Sequence, residues 1–164
     1  MPKYSRSYIF DARPALKAAL EKVATTISKP GRAVLFQQGQ AVSGVFLLKT
    51  GKAKLVLESE QSRARIVGPG ALLGLPSAIS QTPHSATVEI LENAKVAYIG
   101  RKDLMRLLRQ DTGSCLGILE ILGRGVQEVR REKADCMLPL RRRGGSRQKR
   151  QRESGRPPAA AMRA

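Results

Sequence analysis

The sequence predicts a mainly β domain with flanking helices, followed by a long C-terminal helix. Three observations carry this reading. Residues 31–99 are short apolar runs punctuated by glycine, the segments on either side show helical spacing, and residues 115–136 sustain a heptad pattern. With 164 residues, 41% of them hydrophobic, the chain has apolar material for one domain and length to spare. The expected layout is an N-terminal arm over 1–12, a β domain over 13–112, a helix over 113–136 and a basic disordered tail over 137–164.

In residues 12–27, Leu16, Leu20, Val23 and Ile27 recur at helical spacing, with Pro14 near the start where a missing N–H does no harm. This predicts one helix, ended by Lys29, Pro30 and Gly31. Strands are expected at 34–38, 45–49, 53–59, 63–68, 86–91 and 94–100, with glycines at the turns between them. Many short strands at close spacing point to a barrel or sandwich. Residues 101–110 return to helical spacing through Leu104, Leu107 and Leu108, and the DTGSC stretch marks a break.

In residues 114–136, Cys115, Leu119, Leu122, Val126, Val129, Lys133 and Cys136 alternate steps of four and three, which is a heptad seam. A second apolar edge, Leu116, Ile118 and Ile121, occupies the first half only. The pattern predicts a helix that begins on its own domain and then offers a seam to a second copy. The expected homodimer interface is Leu119, Leu122, Val126 and Val129. An ordinary core helix with a frayed polar end is the competing reading. Gly123 and Gly125 each weaken the helix by about 1 kcal/mol, so packing has to support it.

Formal net charge is +17, from 30 basic and 13 acidic residues, and it is unevenly spread. Residues 141–164 hold eight Arg, one Lys and one Glu, while no formal charge occurs from Ile66 to Val88. The excess of positive charge favours polyanionic partners but is silent on fold. Two cysteines and one histidine exclude a disulfide framework and leave a zinc site without ligands. No paired carboxylates, Ser–His–Asp arrangement or P-loop emerges, so no catalytic residue and no enzyme activity is expected. The first ten residues lack an apolar core of the signal-peptide kind and no long apolar run exists, which makes a cytoplasmic protein without a membrane partner the expectation.

The stretches PGRAVLFQQGQ (30–40), GVFLLKTGKAKLV (44–56), GPGALLG (68–74) and TPHSATVEI (82–90) together resemble the cyclic-nucleotide-binding domain of the Crp–Fnr superfamily. The resemblance covers residues 13–136 and implies a jelly-roll-like β-roll followed by a helix that dimerises. It also implies a use for the neutral loop. In the superfamily that loop is a phosphate-binding cassette, in which a Gly-Glu pair and a following Arg-Ser/Thr-Ala grip the ribose and the cyclic phosphate. A short helix there turns its N-terminal amides to the anion. Carried over by position, the pocket comprises Gly74, Leu75, Pro76, Ser77, His84, Ser85 and Ala86. Leu75 replaces the Glu and His84 replaces the Arg, so both charged contacts are missing. Cyclic AMP or cyclic GMP is therefore not expected to bind in the usual way. No cofactor or metal is expected. A different small effector, or a loop with a structural role alone, remains as the alternative. The superfamily's iron–sulfur mode needs an N-terminal cysteine cluster, and residues 1–30 contain no Cys.

Regulators of the superfamily continue past the long helix into a winged helix-turn-helix. Only 28 residues follow Cys136, and their composition predicts none, leaving no element for major-groove readout. Three readings of this tail stay open. It is a basic arm binding nucleic acid non-specifically through Arg141, Arg142, Arg143, Arg147, Lys149, Arg150 and Arg152, a solvated end without a role, or the product of a frameshift or truncation. The expected function is thus the sensory and dimerising domain of a transcription regulator. The alternative is a small basic nucleic-acid-binding protein.

Overall fold

The computed structural model describes residues 5–6, 11–57 and 63–137. Its elements run, in chain order, β1 (Ser5–Arg6), α1 (Pro14–Lys22), β2 (Thr25–Lys29), β3 (Val34–Phe36), β4 (Gly44–Thr50), β5 (Ala53–Leu57), β6 (Arg63–Val67), β7 (Leu72–Leu73), α2 (Leu75–Ser80), β8 (Thr87–Ile90), β9 (Ala94–Gly100), α3 (Arg101–Gln110) and α4 (Thr112–Met137). The expected class holds: mainly β, in two sheets, with flanking helices and a long terminal one. One sheet has the order β1-β6-β5-β8-β3 and the other β2-β9-β4-β7.

All six expected strands form, most of them a residue or two shorter than the apolar runs. The first helix departs from expectation. It stops at Lys22, and Thr25–Lys29 becomes a strand paired antiparallel with β9, Ile27 facing Val96 in register. Thr25, Thr26 and Ile27 are β-branched, which stiffens χ1 and favours a pleated ladder over a helix turn. Ile27 shared the helical spacing by coincidence, and Val23 ends up 38% exposed. The N-terminal segment is also more than an arm. β1 adds a parallel strand to the edge of β6, Asp11 bridges Ala71, and Ala12 is buried.

Strand β4 organises the interior. Gly44 to Leu48 are all buried, and the two-residue period sends successive side chains to opposite layers. Val45 and Leu47 join Leu16, Leu20, Leu72, Leu75, Leu104, Ile118 and Ile121 in a core between the four-stranded sheet and the helices. Phe46 and Leu48 join Phe36, Leu55, Val67, Leu73, Val88 and Val96 in a core between the sheets. Gly44 has no room for a side chain, because a Cβ there would fall on the Ile99 carbonyl of neighbouring β9.

The expected break after residue 110 contracts to Asp111. Its carboxylate accepts hydrogen bonds from the backbone N–H of Gly113 (3.3 Å) and Ser114 (3.1 Å) and from the Ser114 hydroxyl. Asp111 thereby caps α4 and turns the chain sharply out of α3. These bonds favour the ionised form and hold the Asp111 carboxyl below its ordinary range. The first half of α4 packs on the domain through buried Ser114, Ile118 and Ile121. At Gly117 a Cβ would stand 3.2 Å from Leu16 Cδ2, so α4 lies close on α1. Arg124 donates to the Asp11 carbonyl at 2.9 Å, and Arg13 pairs with Glu120 at 3.0 Å.

Of the second apolar edge, Ile118 and Ile121 are buried but Leu116 is 56% exposed. Leu119, Val126 and Val129 of the heptad seam are each more than half exposed, and Leu122 packs partly against the core. The side chains of Lys133 and Cys136, and the whole of the basic tail with its seven candidate nucleic-acid contacts, lie outside the described residues.

Leu104, fully buried among α1, α3 and β4, should lose about 2–5 kcal/mol of unfolding free energy on Leu104→Ala. Leu116→Ala, at an exposed position of α4, should stay within about 0.5 kcal/mol of wild type in urea unfolding. Equal losses would show that this packing is misassigned.

A cavity beneath the neutral loop

Gly74 begins the loop at φ +79°, a left-handed conformation that glycine adopts without strain. A Cβ there would also come within 3.1 Å of His84 Cε1 and 3.5 Å of Phe36 Cε1, so the position is constrained twice. The chain then forms α2, six residues long, which ends at Gln81 with φ 58°. Pro76 in its first turn has no N–H, which removes one of the amides that the resemblance would turn to an anion.

Hydroxyls and backbone groups hold the loop in place of ion pairs. The Ser80 hydroxyl donates to the Pro76 carbonyl at 2.8 Å, and the Ser77 hydroxyl to the Pro83 carbonyl at 3.3 Å. The His84 N–H donates to the Gln40 carbonyl (2.9 Å), while the Gly39 N–H donates to the His84 carbonyl (2.7 Å). From outside the loop, Arg101 Nε also donates to the Ala78 carbonyl of α2 at 2.8 Å, so a guanidinium helps to hold it.

Six of the seven expected pocket residues, Gly74, Pro76, Ser77, His84, Ser85 and Ala86, line one cavity of about 180 Å³. Leu75 is not among them. Its side chain is fully buried in the helix-side core with Leu20, Leu104 and Ile121. The Leu at the glutamate position therefore serves the core and forms no wall of the cavity. The rest of the wall is built by Phe36, Leu55 and Arg65 of the five-stranded sheet, by Leu72 and Leu73 of β7, and by Gly125 and Val129 of α4. A second, shallower groove of about 500 Å³ runs between α2 and α4, and shares Pro76, Gly125 and Val129 with the first.

Arg65 escaped the sequence reading. In residues 63–67 the apolar Ile66 suggests the inward face, yet Arg65 and Val67 are buried at 8% and 2% exposure, while Ala64 and Ile66 are only half-buried. The register explains it. Arg65 pairs with Leu55, Leu55 with Val88, and Val88 with Phe36, forming one row across the sheet on its inner face. A usable signal did exist, since Val67 two residues later faces the same side.

His84 is 4% exposed and stacks on Phe36, with ring centroids 3.9 Å apart and planes 15° from parallel. A polar histidine at a loop-strand junction is ordinarily expected at the surface, and here it is a wall of the cavity. Burial disfavours the charged imidazolium and pushes its pKa below the ordinary 6.5. At neutral pH His84 is therefore uncharged.

The folded imidazole takes up its proton at lower pH than the unfolded one, so between those two values the unfolded state binds more protons. The contribution to folding is complete above about 6.5 and is lost as pH falls from there through the folded pKa. Lowering pH from about 7.5 to 5.5 should therefore reduce the melting temperature of the wild type more than that of His84→Gln. Parallel slopes would mean that His84 is not responsible.

Among the described residues no cluster of His, Cys, Asp and Glu is able to hold a metal ion, and no helix is long and apolar enough to cross a membrane. No curated protein sequence is significantly similar to the chain. Solved structures are. The catabolite activator protein of Thermus thermophilus superposes with a TM-score of 0.68 at 22% identity, over 79% of this chain and 63% of that one. A transcriptional regulator from Thermotoga maritima gives 0.65 at 19% identity, over 76% and 98%. Oxidized CprK in complex with o-chlorophenolacetic acid gives 0.65 at 16% identity, over 82% and 56%. The chain thus spans less than two thirds of the Thermus protein and of CprK. At these identities the likeness establishes the fold. The family profile described as cyclic nucleotide-binding domain matches residues 27–111, from β2 through to the cap of α4. By that match over more than half its length, the chain belongs to the cyclic nucleotide-binding domain family.

Proposed function

We propose that this chain is the effector-sensing and dimerising part of a Crp–Fnr-type transcription regulator, cytoplasmic, with a cassette that no longer grips a cyclic nucleotide. One observation carries the proposal. Val129 lines the cavity under the cassette and at the same time stands 51% exposed on the heptad seam of α4. An occupant of the cavity and a second copy of the chain would therefore touch the same turn of one helix. That is a physical route from ligand to assembly, and it needs no catalytic group.

The exposed seam supports a second copy as partner. Burying each Leu or Val is worth about 1.5–3 kcal/mol, and Leu119, Val126 and Val129 of two chains together can outweigh the cost of association. Arg124, Gln127, Glu128, Arg130 and Arg131 occupy the rest of the helix surface and keep the apolar stripe narrow. At tens of micromolar the wild type should sediment as a dimer and Val126→Glu as a monomer. A monomeric wild type would refute the interface, and a dimeric Val126→Glu would place it elsewhere.

The cassette itself argues against a cyclic nucleotide. A guanidinium–phosphate contact consists of charge-assisted hydrogen bonds worth about 1.5–3 kcal/mol each, and neutral His84 supplies none of that kind. With Leu75 turned into the core, no acidic side chain among the described residues that line the cavity is there to receive a ribose hydroxyl. Binding should be weaker by roughly two or more orders of magnitude than an intact cassette allows. Calorimetry at neutral pH should show no micromolar binding of cyclic AMP or cyclic GMP, and micromolar binding of either would overturn this reading. The o-chlorophenolacetic acid held by oxidized CprK supports the idea that this fold serves effectors other than nucleotides.

A further inference from the structure

The buried polar side chains in the cavity wall are not equally provided for. Arg65, in the wall formed by the sheet, already has a partner of its own. The Ser77 hydroxyl donates to the Pro83 carbonyl at 3.3 Å. His84 differs from both. It is 4% exposed and bonded through its backbone to Gln40 and Gly39, yet among the described residues neither nitrogen of its ring has a hydrogen-bonding partner in the protein. The stack on Phe36 covers a face of the ring and makes no use of its nitrogen edge. Cε1, the carbon between the two nitrogens, is the atom that a Cβ at Gly74 would meet, and Gly74 lines the cavity as well. The nitrogen edge thus lies beside a lining residue that has no side chain to cover it. Buried polar groups are normally paired, so an imidazole left unpaired in a cavity wall calls for a bonding group from outside the chain.

We infer that His84 is a specificity residue, whose imidazole hydrogen-bonds the hydroxyl of an uncharged, chain-like apolar effector. The inference rests on the proposal that this cavity is an effector site, and it names the chemistry of the effector. Charge comes first. Burial keeps the imidazole neutral, so at the cassette it offers an anion no balancing charge, and an anion left unbalanced in an apolar enclosure is costly. Hydrogen-bonding capacity comes next. A neutral imidazole carries one donor and one acceptor, and a hydroxyl both donates and accepts, so it pairs with either nitrogen whichever tautomer is present. A carboxylate only accepts. Shape completes the argument. The cavity of about 180 Å³ adjoins the groove of about 500 Å³, and Pro76, Gly125 and Val129 belong to both. The groove continues the apolar wall through Ile121, Leu122 and Val126, and exposed Arg130 is its one charged residue among those described. A ligand with its hydroxyl at His84 has room along this path for an extended hydrocarbon body. Leu122, Val126 and Val129 are also seam residues, so the bound chain would lie against the helix face offered to a second copy.

The experiment uses the whole protein and three matched probes, hexanol, hexyl fluoride and hexanoate, titrated by calorimetry and thermal shift. In the wild type hexanol should bind at least about fivefold more tightly than hexanoate. His84→Phe, which keeps a ring on Phe36 and deletes both nitrogens, should weaken hexanol about tenfold and leave hexyl fluoride within about twofold. His84→Gln, which retains a donor and an acceptor, should keep most of the hexanol affinity. Lengthening the alcohol from butanol to decanol should tighten binding about three- to fourfold per methylene, as burial along the groove requires. His84 is the sole histidine of the chain, so nitrogen NMR reads its ring directly. Hexanol should move a ring nitrogen resonance and hexyl fluoride should leave it in place, a result that stands even if His84→Phe does not fold. Equal losses of hexanol and hexyl fluoride in His84→Phe, or a resonance that hexanol does not move, would overturn the role of His84 while leaving the cavity an effector site. Hexanoate binding more tightly than hexanol would overturn the uncharged class, and an affinity flat beyond butanol would overturn the part of the groove. Binding of none of the probes would overturn the ligand class and count against the effector site as well.

Discussion

Strand β4 is covered on both faces, by the helices on one side and the second sheet on the other, and the remaining structure is arranged around this burial. A strand without a solvated face must be apolar at every position, and Gly44 to Leu48 meet that demand. Because side chains alternate, Val45 and Leu47 commit to one core and Phe46 and Leu48 to the other. The loop from Gly74 to His84 inherits its position from this division. Leu75 drops into the core on the helix side, while Phe36 from the sandwich core provides the ring on which His84 stacks.

That division explains how one short loop serves two layers. At its first residue it supplies a core side chain, and at its last a cavity wall, with α2 between them. A charged residue at position 75 would sit in the helix-side core, where its desolvation would be expensive. The uncharged residues at 75 and 84 thus suit the packing at both ends of the loop. The Gly74 turn, the hydroxyl contacts of Ser77 and Ser80 and the Arg101 bond to the Ala78 carbonyl keep the loop in place.

Helix α4 applies the same economy at a larger scale. Its first turns are domain core, capped at Asp111 and pressed on α1 through Gly117. Its later turns leave the core and pass over the cavity, where Gly125 and Val129 form part of the wall. Gly125, unfavourable for an isolated helix, is placed where the helix borders both the cavity and the groove beside α2.

Local pattern determined a great deal here. Two-residue alternation, glycine at turns and heptad spacing act over a few residues, and they placed the six principal strands, the helix at 101–110 and the long helix with its exposed seam. The loop was equally legible, and six of the seven residues named there line one cavity. Four outcomes depended on partners distant in sequence. Thr25–Lys29 became a strand because β9 offered it a ladder. Leu75 turned to the core because helices cover β4, and His84 went under cover because Phe36 waits beneath it. Arg65 faced inward because its register with Leu55 and Val88 assigns that side to the cavity. Periodicity says that a strand has two faces, but only the packed sheets decide which of them is inside.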